Sequence, residues 1–78
     1  MYWPSPTELQ VLQALRKLGE GDRISVASKT GMGSEMGDYL CRYLSTKGLV
    51  RKVGLSRGRS KYALTMEGLA IVERTSTR

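Results

Sequence analysis

Catalysis is the first chemistry that these residues fail to provide. The 78-residue chain has no histidine, one cysteine (Cys41) and seven scattered carboxylates. No base stands beside a nucleophile, and a zinc site would need Cys41 plus carboxylates, a poor set of ligands. The tract GMGSEMG, residues 31–37, has the glycines of a phosphate loop but lacks the G-K-[ST] ending and follows no strong strand. The expectation is therefore no enzyme, no metal and no cofactor. What the chain does offer is concentrated positive charge. Six basic residues and no acidic one lie from Lys47 to Lys61. Like charges crowded on one short segment cost stability unless an anion answers them. The chemistry implied is phosphate binding.

The overall charge agrees. Net charge is +6, and it is uneven: residues 1–39 carry four basic and five acidic side chains, residues 40–78 nine and two. Such a balance points to nucleic acid before an acidic protein or a membrane surface. A membrane-surface role would need a basic amphipathic helix, whereas this charge sits mainly on a hairpin-like segment. Apolar residues make up 40% of the chain, enough for a packed core. No apolar run is long enough to span a bilayer, and MYWPSP lacks a basic region followed by a hydrophobic one. With a lone cysteine, the expected location is the cytoplasm, on the nucleoid if DNA is bound. The length predicts one small domain, 1–78, that gains stability from a partner because a single cysteine cannot staple it.

The elements that would position the basic segment can be read in order. SPTELQVLQALRKLGEG is a helix with both ends marked: Ser5 as N-cap, Pro6 at the first helical position, Glu8 completing an S-x-x-E capping box, and Gly19 as the stop. Its apolar face is broad enough for a buried helix or for one that also meets a second subunit. Arg23-Ile24-Ser25 is predicted to be a single-rung strand. Val26, Ala27, Thr30 and Met32 fit a short helix closed by Gly31, and Ser34 is placed to cap a further helix reaching about Lys47. In that helix Met36, Leu40 and Leu44 form the core stripe, with Cys41 beside it. LVRKV and SKYALT alternate like half-buried strands, and GLSRGRS between them reads as the hairpin connection. Thr65 then caps a last helix containing Leu69-Ala70-Ile71-Val72, apolar on nearly every side.

This layout, helix, short strand, helix, helix, hairpin, helix, is α+β, mainly α. Three tracts carry a resemblance: V-A-x-x-T-G-M from Val26 to Met32, L-x-x-x-G-L-V from Leu44 to Val50, and Y-A-L-T-x-E-G from Tyr62 to Gly68. With the basic hairpin between the last two, the chain resembles winged helix-turn-helix regulators of the MarR and PadR type. The resemblance implies a small transcriptional regulator that binds double-stranded DNA. A recognition helix, about 34–47, would enter the major groove, and a basic wing, about 51–62, would reach the backbone or minor groove. On the recognition helix Ser34, Glu35, Asp38, Tyr39 and Arg42 fall on the exposed face. Arg57, Arg59 and Lys61 are the wing contacts, while Ser25, Ser28, Lys29 and Thr30 are suited to phosphates. Gly37 departs from the pattern, since an apolar residue usually packs there.

Other readings stand beside these. Tyr39 and Tyr43 suit helix packing as well as a sugar or base edge, and Lys47, Arg51 and Lys52 suit a solvated hairpin face. Glu35 and Asp38 could accept hydrogen bonds from cytosine or could repel the duplex. They leave open an alternative, a winged-helix protein–protein interaction module in a larger nucleic-acid-processing assembly. The favoured partner besides DNA is a second copy, held through the first and last helices by Val11, Leu18, Leu69, Ile71 and Val72, joined by Tyr2 and Trp3.

Overall fold

A computed structural model describes residues 2–76, which form four helices and one antiparallel hairpin. Helix α1 (Pro6–Leu18) begins with the capping box in place. The Glu8 amide donates to Ser5 Oγ at 3.3 Å, and the Ser5 amide donates to Glu8 Oε1 at 2.9 Å. Gly19 ends the helix at a positive φ of 80°, its amide donating to the Leu15 carbonyl. Val11, Leu12, Ala14 and Leu15 face inward, so the broad apolar face belongs to the helix's own core.

Helix α2 (Arg23–Thr30) starts where a strand is predicted. The Asp22 carboxylate accepts from the Ser25 amide at 2.9 Å and so caps the helix at Arg23. One side-chain cap outweighs the weak strand preference of Arg23-Ile24-Ser25. The single β-rung exists two residues earlier. Gly21 and Tyr62 exchange two backbone hydrogen bonds of 2.9 Å. Gly31 closes α2 as expected, with φ near 79°.

Helix α3 (Ser34–Thr46) is capped by Gly33, not Ser34, which is its first helical residue. The chain turns one residue earlier than the serine suggests, because Thr30 Oγ1 accepts from the Met32 amide and tightens the turn. Gly37, Leu40, Cys41 and Leu44 form the buried stripe, and Met36, expected in it, is 49% exposed. Helical phase explains this: with Gly37 against α2, residue 36 lies about a quarter-turn off the core. A Cβ on Gly37 would lie 3.5 Å from Val26 Cγ1 and 3.6 Å from the Arg23 carbonyl, so α2 and α3 cross closely here.

Strands β1 (Val50–Ser56) and β2 (Arg59–Leu64) pair from Val50↔Leu64 to Ser56↔Arg59, with a bulge between Lys52 and Gly54. Most of the predicted connection is therefore paired strand. Only Arg57 and Gly58 make the turn, at φ 53° and 77°. Two left-handed residues are what a tight right-twisted hairpin needs.

Helix α4 (Met66–Ser76) is locked to the start of the hairpin by Thr65. Its amide donates to the Leu49 carbonyl at 3.1 Å, its hydroxyl to the Gly48 carbonyl at 2.6 Å, and Thr65 Oγ1 accepts from the Gly68 amide at 3.1 Å. Gly68 presses so near that a Cβ would sit 2.1 Å from the Leu49 carbonyl oxygen. The T-x-x-G spacing thus serves one junction. Leu12, Leu15, Val26, Leu44, Val50 and Ile71 are among the residues meeting in the core, which draws on every helix and the hairpin. Burial corrects part of the dimer surface expected from the sequence. Val11, Ile71 and Val72 are 0%, 1% and 2% exposed and pack inside the chain's own core.

Candidate nucleic-acid interface

The outward face of α3 carries most of the side chains expected on it. Glu35, Tyr39 and Arg42 are exposed, while Ser34 and Asp38 are half-buried. Asp38 does not stand as a bare negative charge: its Oδ2 lies 3.1 Å from Arg42 Nε, one helical turn on. Glu35 is left as the exposed acid in the first turn. Ser28 and Lys29 are exposed near the end of α2, and Lys29 and Thr30 border an open groove of about 430 Å³ between that end and α1. Ser25 is half-buried and its amide is engaged by Asp22, which leaves its hydroxyl apart from the cap.

The hairpin's cations separate into two kinds. Arg59 and Lys61 are tied to the body of the domain. Arg59 Nε lies 3.1 Å from Asp22 Oδ2, and Lys61 Nζ lies 2.9 Å from Glu20 Oε1. Together with the Gly21–Tyr62 rung, three consecutive residues, 20–22, hold β2 in place. Asp22 is 7% exposed, and its carboxyl is held below the usual carboxylate range, first by the Ser25 amide and then by Arg59, against the opposing effect of burial. Arg57 is different. It sits at the tip, exposed, with no ion-pair partner among the described residues, as do Arg51 and Lys52 on β1.

Sequence reasoning missed Asp22, the residue that orients the wing. The D-x-x-S spacing to Ser25 ahead of an apolar residue was the available signal for its capping half; the Arg59 pairing, 37 residues away, had none. Cys41 is buried, and burial with the nearby Asp38 charge pushes its thiol up to about 12, so it stays protonated and is no nucleophile. Among the described residues no group of three metal-ligating side chains comes together, and no helix is long and apolar enough to cross a membrane. Of the remaining residues expected at a dimer contact, Leu18 is half-buried, Leu69 and Trp3 are 37% and 45% exposed, and Tyr2 packs on the chain's own core beside Tyr43.

No protein-family model matches this sequence, and no curated protein is significantly similar to it. Solved structures are similar in fold. The PcaV transcriptional regulator from Streptomyces coelicolor, in complex with its natural ligand, is 27% identical, with a TM-score of 0.80 over 91% of this chain and 52% of that one. BpsR of Bordetella bronchiseptica, whose DNA binding is regulated by 6-hydroxynicotinic acid, is 24% identical, with a TM-score of 0.82 over 92% and 53%. A mutant MarR from E. coli complexed with operator DNA is 18% identical, with a TM-score of 0.82 over 91% and 52%. The chain spans about half the length of each of these proteins. In fold, this chain is a MarR-like winged helix-turn-helix domain.

Proposed function

We propose that this domain is the DNA-contacting part of a transcriptional regulator and not an enzyme. In this reading α3 enters the major groove through Ser34, Glu35, Asp38, Tyr39 and Arg42, and Ser28 and Lys29 meet the flanking phosphates. The hairpin is the wing, Arg57 is its direct contact, and Arg59 and Lys61 act mainly by holding it. The single observation that carries the reading is the state of Arg57. Its φ of 53° is a left-handed conformation that costs a non-glycine residue about 1 kcal/mol. The chain accepts that cost with an exposed guanidinium at the tip of the hairpin, where it has no ion-pair partner among the described residues. The Asp38–Arg42 pair adds support, since it lowers the negative charge that α3 presents to a polyanion. The operator complex of the structurally similar MarR mutant is consistent with the same use of the fold. The domain acts as a homodimer, with α4 contributing Leu69 and the still more exposed Met66, so the operator is an approximate palindrome.

The test is fluorescence anisotropy of a labelled random-sequence duplex across a series of salt concentrations. Native protein should bind in the micromolar range, with affinity falling steeply as salt rises. Arg57→Asn should lower the salt slope by about 0.9, one phosphate's share. Asparagine suits a left-handed turn position, so the same variant should unfold at equal or higher denaturant. Weaker binding by a protein that is no less stable cannot be blamed on unfolding. An unchanged slope, or no binding even at low salt, would overturn the reading.

A further inference from the structure

The segment before α1 reaches the outer face of α3 through a continuous run of aromatic rings. The Tyr2 hydroxyl donates to Glu8 Oε1, the same oxygen that accepts from the Ser5 amide in the capping box. The ring of Tyr2 meets Tyr43 edge-on, with centroids 6.1 Å apart and planes at 70°. Tyr43 in turn stacks on Tyr39, centroids 6.3 Å apart and planes 17° from parallel. Lys47 Nζ lies 5.0 Å from the Tyr2 centroid and 5.3 Å from that of Tyr43, so one ammonium bridges both rings. Tyr2 and Tyr43 are half-buried, whereas Tyr39 at the end of the run is 54% exposed.

Each contact removes a freedom from the next residue. An exposed tyrosine on a helix has more than one open rotamer, and stacking on Tyr43 selects one for Tyr39. Tyr43 can only do so if its own ring is fixed, and it is held by the edge contact with Tyr2 and by the Lys47 ammonium that bridges both rings. Tyr2 is held by the carboxylate that caps α1. Charge-assisted hydrogen bonding makes that the firmest link in the run. Tyr2 meets Tyr43 on α3 and the ammonium of Lys47 just past the helix end, and neither is among the residues assigned to the groove.

We propose that Tyr2 is a positioning residue for DNA recognition: through Tyr43 it pre-orders Tyr39 on the face of α3. This rests on the reading of α3 as the groove-binding helix. The experiment uses a duplex enriched by the native protein from a random library. Binding to it is measured for native protein, Tyr2→Leu, Tyr2→Phe, Tyr39→Leu and the Tyr2→Leu/Tyr39→Leu double variant, with circular dichroism confirming that each is folded. Losing the pre-ordering of one side chain should weaken Tyr2→Leu about three- to tenfold with the salt slope unchanged, because no phosphate contact is removed. Tyr2→Phe keeps the ring but loses the hydroxyl anchor to Glu8, so its affinity should fall between those of native protein and Tyr2→Leu. In the Tyr39→Leu background Tyr2→Leu should cost nothing more, since the ring it orders is gone. An equal cost in both backgrounds, or none in either, overturns the proposal. A Tyr39→Leu variant that binds like native protein also overturns it. Failure to enrich any duplex is a separate outcome, because it removes the DNA-binding reading itself.

Discussion

Two glycines in buried helical positions make opposite predictions for one substitution. Alanine in place of glycine in a helix interior gains about 1 kcal/mol from reduced backbone entropy alone. At Gly37 the added methyl would meet Val26 Cγ1 at 3.5 Å and the Arg23 carbonyl at 3.6 Å, both ordinary contact distances. Gly37→Ala should therefore keep the full gain and stabilise the domain by about 1 kcal/mol. At Gly68 the methyl would lie 2.1 Å from the Leu49 carbonyl oxygen. A carbon–oxygen contact settles at about 3.3–3.6 Å, so α4 and the start of β1 must part by roughly 1.2 Å or more. That movement loosens the Thr65 amide bond to Leu49 and the Thr65 hydroxyl bond to Gly48, now 3.1 and 2.6 Å long. Overpacking at about 1–3 kcal/mol and about 1 kcal/mol for each loosened bond outweigh the helix gain. Gly68→Ala should be destabilised by about 2–4 kcal/mol net. For a domain of this size each kcal/mol moves the melting midpoint by about 4–8 °C, so the two variants should melt well apart on opposite sides of native protein. Urea and thermal unfolding followed by far-UV circular dichroism would measure both. If the two shift stability in the same direction, the reasoning from local space is wrong.

Two further expectations concern the wing support and the dimer. The Asp22 carboxyl is held below its ordinary range, so its share of stability is complete above the unfolded carboxylate pKa of about 3.9 and fades as pH falls through the lower folded value. Asp22→Asn keeps a capping oxygen but loses the charge opposite Arg59. Its melting midpoint should therefore fall less than native protein's on acidification below about pH 4, and parallel acid limbs would refute the assignment. Leu69→Glu places a charge on the exposed stripe of α4 beside Met66. If the proposed dimer forms through this face, sedimentation equilibrium should show the variant shifted toward monomer relative to native protein, and an unchanged distribution would exclude this face.

How much was legible beforehand depended on how local each cause is. The capping box of α1, the Gly31 stop of α2 and the Thr65 cap of α4 are settled within about four residues, and all three stand in the structure where the sequence places them. The Arg23–Ser25 strand gives way to an equally local cause, the Asp22 cap. Met36 misses the core by phase: Met36, Leu40 and Leu44 have helical spacing, yet Gly37 is the residue that meets α2. Nothing in a glycine's own chemistry announces that it faces a partner helix. The wing's overall extent was readable from alternation and charge, while its two-residue turn was obscured by the glycine- and serine-rich look of residues that in fact pair.

The sequence by itself determined the four helices, the hairpin, their order and the excess of positive charge on the hairpin, because caps, period and composition act through near neighbours and water. Tertiary structure alone decided which partner each charge meets. Arg57, Arg59 and Lys61 are near-equivalent in sequence, but packing sets Arg59 on a buried carboxylate and Lys61 on Glu20, and leaves Arg57 facing solvent. Likewise Val11, Ile71 and Val72 could equally have met another subunit until the fold buried them in its own core. A side chain's partners depend on segments far apart in the chain, and only the folded arrangement brings those segments within bonding distance.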